Sequence, residues 1–329
     1  MTFLKDISRN RVSVPVTILL SLILTTLTYW FLSGVLPSAQ PSNSVWNLFE
    51  GWKENRQWGV ILNYLLVIVG GWGIFKINET FSLSHYRTYL PFLFYLLFQV
   101  TNPSLQFVSE GSFAALFGIP AIALLFAAYQ QERAAEQAFW VGLFVSLTTL
   151  FWTKALLYLP LFLVGFWIMR SWRLKVFLGL LIGLACPFWL QFAFLFFRGD
   201  LPAFFKPFSE LINYQLPQLS DIPISLQIHL ATTLFIISLA GSYLLVTNFR
   251  EKVRTQAYYS FLIGLSFFAA ALCILDMTNI SGHLTYLYIS AAFLASNIFL
   301  KVQTKLISFL FLMIISAYFT AYAFNLWIN

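Results

Sequence analysis

The sequence predicts an all-α fold: a polytopic transmembrane helix bundle of about eleven spans, N-terminus inside and C-terminus outside, with interfacial helices in the outer loops. Three observations carry this. The 329 residues are 60% hydrophobic and only 9% charged, where a soluble domain carries roughly 25% charged residues. The apolar residues run in continuous stretches, not in the alternation of a barrel strand. The basic residues are distributed unevenly between those stretches.

Composition comes first. A soluble fold of this size has too much surface to hide so much apolar side chain, and a lipid solvent removes the difficulty. The aromatic share of 19%, with 15 Tyr and 11 Trp, suits a chain with two water interfaces, where such rings sit half wet. Within the bilayer core every backbone amide must find its partner inside the structure, and continuous apolar runs satisfy this as helices.

A spanning helix needs about 20 residues at roughly 1.5 Å each. The candidate spans are 12–36, 58–75, 88–102, 112–130, 137–153, 155–169, 176–197, 226–248, 256–275, 282–300 and 306–327. No long polar linker interrupts them, so residues 1–329 read as a single integral membrane domain. Met1 to Arg11 is basic and precedes about 25 apolar residues. A signal-peptide core is shorter, so this stretch is expected to be an uncleaved first span.

Direction follows from the short loops. With the N-terminus inside, the inner segments hold 14 of the 19 Lys and Arg residues and the outer segments hold 5. Seven acidic residues fall outside and five inside, so the inner face carries +9 and the outer face −2. The net charge of +7 is therefore an orientation signal toward anionic lipid, and nucleic acid is excluded as the partner it implies. This pattern predicts a multi-pass protein of a cell inner membrane.

One hairpin is weak. The stretch 155–169 reaches about 22 Å against a core of roughly 30 Å. Lys154 stands at its tip, in Phe151-Trp152-Thr153-Lys154-Ala155. Either the pair spans and Lys154 reaches the outer interface, or 137–169 is re-entrant.

Two outer segments are long enough to matter, 37–57 and 198–225. In the first, Val45, Leu48, Phe49 and Trp52 make one helical stripe, so residues 44–53 are expected to lie flat in the outer interface. Glu50 and Glu54, four apart, then share its wet face. In the second, Pro202, Pro207, Pro217 and Pro223 break the chain, and 203–215 is expected to form a short helix with Lys206 and Glu210. His229, Asp276 and His283 fall near the outer ends of spans. They can serve as hydrogen-bonded structural groups, bind a metal or relay a proton; nothing in their spacing enforces a metal site. Glu132 and Glu136 read as a solvated inner loop. Cys186 and Cys273 sit in apolar runs and read as buried small hydrophobes. No glycine-rich phosphate loop, HExxH or G-x-S-x-G motif occurs, so no cofactor and no metal is expected.

The segment Ser109-Glu110-Gly111-Ser112-Phe113-Ala114-Ala115-Leu116 carries a resemblance. It continues through the turn at Arg133, Ala138-Phe139-Trp140-Val141-Gly142-Leu143, Met169-Arg170-Ser171-Trp172-Arg173, and Gly179 to Pro187-Phe188. With these the chain resembles a family of uncharacterised polytopic membrane proteins of Bacteroidota. The resemblance implies an inner-membrane location and supplies no activity. A looser likeness is to GT-C-type glycosyltransferases, which use polyprenyl-phosphate sugars at the outer face. It implies that Glu50 or Glu54 acts as catalytic base or metal ligand. Their position departs from the family pattern, in which the acid follows the first span directly. Arg198 and Lys206 would hold the lipid phosphate, a pairing that suits cationic side chains.

Three functions follow as expectations. The first is a membrane scaffold or complex subunit in envelope biogenesis, with membrane lipid and envelope proteins as partners. The second is a GT-C-type enzyme on a polyprenyl-phosphate lipid. The third is a transporter or flippase, against which few charges fall mid-span.

Overall fold

The computed structural model describes residues 12–31, 56–84, 87–209, 211, 223–247, 251–276, 280–301 and 304–328. Among them the chain is helical, with no strand. Twelve α-helices follow one another: α1 Ser13–Phe31, α2 Arg56–Thr80, α3 Leu90–Val100, α4 Glu110–Ala127, α5 Ala134–Phe151, α6 Leu159–Ile168, α7 Leu174–Phe197, α8 Pro202–Ser209, α9 Ile224–Thr247, α10 Val253–Leu275, α11 Ile280–Lys301 and α12 Lys305–Ile328. Short 3₁₀ turns, Pro103–Leu105 and Thr153–Tyr158, lie between α3 and α4 and between α5 and α6.

Nine of these helices are long and apolar enough to cross a membrane. The segments Leu90–Val100 and Thr153–Ile168 are shorter. At 11 residues α3 reaches about 16 Å, less than the expected stretch 88–102. Pro103 and the Asn102 side chain stop it, since Asn102 Oδ1 accepts from the Ser104 amide and hydroxyl and starts a 3₁₀ turn instead.

The bundle is built around α11. This helix packs against α3, α4, α9, α10 and α12, and 94% of its apolar window is buried inside the protein. Its buried small residues, Gly282, Ser290, Ala291, Ala292, Ala295 and Ser296, let several helices approach it closely. By contrast α1 and α7 bury only 22% of theirs. Trp30, Leu178, Ile182, Trp189 and Leu190 on these helices are exposed, as an apolar surface facing lipid tails should be. Cys186 belongs to that surface. It is exposed, and only Cys273 is buried, which corrects the expectation that both thiols are interior. Lipid is as apolar as a protein core, so hydropathy alone does not separate the two places.

The most extensive helix pair is α5 with α7. They run side by side in the same direction, with Ala135 opposite Gly179 and Phe139 opposite Gly183. A Cβ added at Gly179 would lie 2.6 Å from the Ala135 carbonyl oxygen. One added at Gly183 would overlap the Phe139 carbonyl, and one at Gly142 the Leu180 carbonyl. Here the backbones themselves touch, which lets dispersion hold helices that no hydrophobic effect drives together.

The helix expected over 203–215 is α8, Pro202–Ser209, begun by Pro202. Glu210 and the helix expected over 44–53 lie outside the described residues, as do Glu50 and Glu54.

Gly183→Ala should lower the unfolding midpoint in detergent, since its Cβ forces α5 and α7 apart at a cost of about 1–3 kcal/mol. A Cβ at Gly241 meets no atom within 4 Å. Gly241→Ala should therefore be neutral or stabilise by up to about 1 kcal/mol through helix propensity. Equal shifts for the two variants would contradict the packing.

Candidate functional site

Three formal charges stand alone in long apolar stretches. Glu110, at the start of α4, is the only one between Arg87 and Glu132. Lys154 is the only one between Glu136 and Arg170, and Asp276 the only one between Arg254 and Lys301. The fold brings Lys154 and Asp276 together. Lys154 Nζ lies 2.5 Å from Asp276 Oδ2, with side chains 5% and 0% exposed. Lys154 is therefore buried against Asp276 and does not extend to an interface, which was one of the two alternatives the sequence left open. A buried carboxylate satisfies its charge where it stands, so the four-carbon stem has no reason to carry the ammonium to water.

Each member is placed by the end of an element. Phe151 ends α5, and Trp152 turns extended with φ −141° and ψ 97°. The 3₁₀ turn that follows projects Lys154 and Tyr158 inward. Asp276 is the C-cap of α10, its amide donating to the Leu272 carbonyl at 2.8 Å. His283 lies in the first turn of α11.

Asp276 Oδ2 also sits 3.3 Å from His283 Nε2, and His283 Nδ1 is 3.0 Å from the Tyr158 hydroxyl. A carboxylate beside Nε2 selects the tautomer that carries its proton there. Nε2–H then donates to Asp276, and Nδ1 accepts from Tyr158. Aromatic rings close the site. Trp152 meets His283 edge-on at 4.8 Å, and Tyr158 stacks on Tyr286 at 4.3 Å. A Cβ at Gly282 would lie 2.5 Å from the Trp152 ring, so this indole needs a glycine beside it. The network links four side chains from the α5–α6 connection, α10 and α11. Chemically it is a neutral ion pair joined to a carboxylate–imidazole–phenol chain, able to hold a proton but sealed from solvent. His283 and Tyr158 are both fully buried.

A broader polar layer surrounds this network at the same end of the bundle. Asn63, Gln99, Asn102, Gln106, Ser112, His229 and Thr285 are all buried there. Asn63 Nδ2 donates to the Leu105 carbonyl at 2.7 Å, and Ser112 donates to Asn63 Oδ1 at 2.5 Å. His229 does not join Asp276 and His283. Its ring lies 5.1 Å from that of Tyr318, beside the Thr101 carbonyl without hydrogen-bond geometry. Among the described residues no group of three His, Cys, Asp or Glu could hold a metal.

Arg198 and Lys206 lie apart from the network at the same end, Arg198 just after α7 and Lys206 in the last turn of α8. Both are exposed. The Arg198 guanidinium stands 5.0 Å over the Phe194 ring. Gly199, at φ +73°, lets the chain turn back after α7. Phe204 and Phe208 then pack on Phe192 and Phe188 at 5.4 and 5.6 Å. Glu132 and Glu136, at the opposite end, are exposed as a solvated turn should be. Tyr158 and Trp152 are the members that sequence reasoning missed. The available signal was the pair of solitary opposite charges.

No known protein family, curated protein or solved structure matches the chain.

Lys154→Met should cost about 3–5 kcal/mol, because it leaves the Asp276 carboxylate buried without its ammonium. Adding Asp276→Asn should recover much of the loss, since the pair couples. Unfolding midpoints of the two single variants and the double variant, compared in one detergent, check this. Purely additive losses would show that the pair is not coupled.

Proposed function

We propose that the chain is a multi-pass protein of a bacterial inner membrane. It crosses the membrane about eleven times, with its N-terminus inside and its C-terminus outside. It serves envelope biogenesis as a membrane scaffold or as a subunit of a membrane complex. The observation that carries the scaffold reading is the sealed polar interior. Lys154, Asp276, His283 and Tyr158 engage one another and leave no exposed reactive group among them. A protein of this kind acts through its surfaces and loops. The charge distribution supports the orientation. Ten described Lys and Arg residues, from Lys76 and Arg87 to Lys301 and Lys305, lie at the Arg133 end. Lys154, Arg198 and Lys206 lie at the other, where α2 also begins with Arg56.

A second reading rests on Arg198 and Lys206. Two exposed cations beside exposed Phe197 and Phe205 suit the phosphate and the chain of a lipid carrier at an interface. That reading makes the protein a GT-C-type enzyme on a polyprenyl-phosphate lipid, with Glu50 or Glu54 as base or metal ligand.

Reporter fusions at Arg173 and at Asn329 should report opposite sides of the membrane; a shared side would sink the eleven-span topology. Glu50→Gln and Glu54→Gln separate the two activities. The scaffold reading expects unchanged envelope glycan at unchanged membrane abundance. Loss of glycan at unchanged abundance would favour the enzyme.

A further inference from the structure

A small cavity lies between α2, α3, α4 and α11, in the polar layer but away from the Lys154 network. Its polar lining comes from Asn63, Tyr95, Gln99, Ser109, Ser112 and Thr285. Its size matches a water molecule, not a metabolite.

Most of this lining is already engaged. Ser112 donates to Asn63, and Asn63 donates to the Leu105 carbonyl. Thr285 donates to the Ser281 carbonyl at 2.9 Å and receives the Gln99 amide at a long 3.5 Å. Tyr95 is different. Its ring is fully buried, and its hydroxyl has no hydrogen-bond partner within the protein. Gln99 is its polar neighbour, but the two do not meet in hydrogen-bond geometry. The hydroxyl has nowhere to retreat. A Cβ at Gly70 would already lie 2.9 Å from it, so the ring is wedged against the α2 backbone.

A buried phenol without a partner is unfavourable, because its hydroxyl has given up water for nothing. A residue that served only packing would be satisfied as Phe. Tyr at this position, aimed into a water-sized polar space, needs a ligand that both accepts and donates. We propose that the cavity is a binding site for one ordered water molecule. It accepts from the Tyr95 hydroxyl and donates to side-chain oxygens of Gln99, Ser109 or Thr285. This gives the water the two to four polar partners that buried waters usually have. A charged ligand is excluded by the neutral lining, and an apolar one by the hydroxyl it would strand.

X-ray hydroxyl-radical footprinting of the whole protein in detergent tests the site. The radicals form from water where it is bound, so a buried ring beside an ordered water is oxidised although bulk solvent does not reach it. Tyr259 is the internal control. It is equally buried, but its hydroxyl donates to the Leu83 carbonyl at 3.0 Å. Tyr95 should be oxidised several-fold faster than Tyr259. Equal slow rates would overturn the proposal, because the cavity would be dry. Equal fast rates would overturn it too, because both rings would then be reached by general opening. Ser109→Ala, at an edge of the cavity, should lower the Tyr95 rate toward that of Tyr259 while leaving Tyr259 unchanged.

Discussion

The ion pair between Lys154 and Asp276 is the constraint around which the Lys154 end of the bundle is arranged. An isolated charge in a medium without water is too costly to leave alone, so each of these two residues needs the other. Their meeting requires the α5–α6 connection to lie against the end of α10. His283 then has to present its ring from α11 to the same carboxylate, and Tyr158 to complete the chain. Trp152 covers the group and in turn needs Gly282 beside it. Such a pair does little for overall stability compared with well-packed apolar side chains. What it supplies is uniqueness, because few alternative packings bring both charges together.

Elsewhere the helices are joined by scattered hydrogen bonds, such as Ser112 to Asn63 and Tyr259 to the Leu83 carbonyl, and by direct contact. Helices in lipid gain little by hiding apolar surface from one another, so closeness must provide the attraction. The α5–α7 pair reaches that closeness through Gly142, Gly179 and Gly183. The two devices divide the molecule. Glycine contact joins the peripheral α7 to α5, and polar linkage anchors the α5–α6 connection to the central α11.

The helices were legible because length and apolarity are local properties. The expected stretches 226–248 and 306–327 correspond to α9 at Ile224–Thr247 and α12 at Lys305–Ile328. α3 came out shorter because the Asn102–Pro103 pair ends it, a turn signal masked by the apolar residues around it. The network was half legible. Asp276 and His283 stood out as polar groups near span ends, and they do converge. His229 stood out equally and does not, because its place is set by packing against Tyr318. Lys154 stood out at the tip of a weak hairpin with two placements open, and its partner was not foreseen. A sequence shows a charge but not its partner when 122 positions separate them (276 minus 154). Tyr158 and Trp152 gave no signal at all among so many aromatic residues.

That separation also has a meaning in time. A ribosome adding about 5–20 residues per second finishes Asp276 roughly 6–24 s after Lys154. During that interval the Lys154 ammonium, just past the end of α5, has no counter-charge in the protein and can extend toward water on its four-carbon stem. The buried pairing of the hairpin is therefore made only after Asp276 exists. Its final docking belongs to the last stage of biogenesis, when α10 and α11 arrive, and a chain truncated before residue 276 lacks the counter-charge that lets the earlier half come to rest.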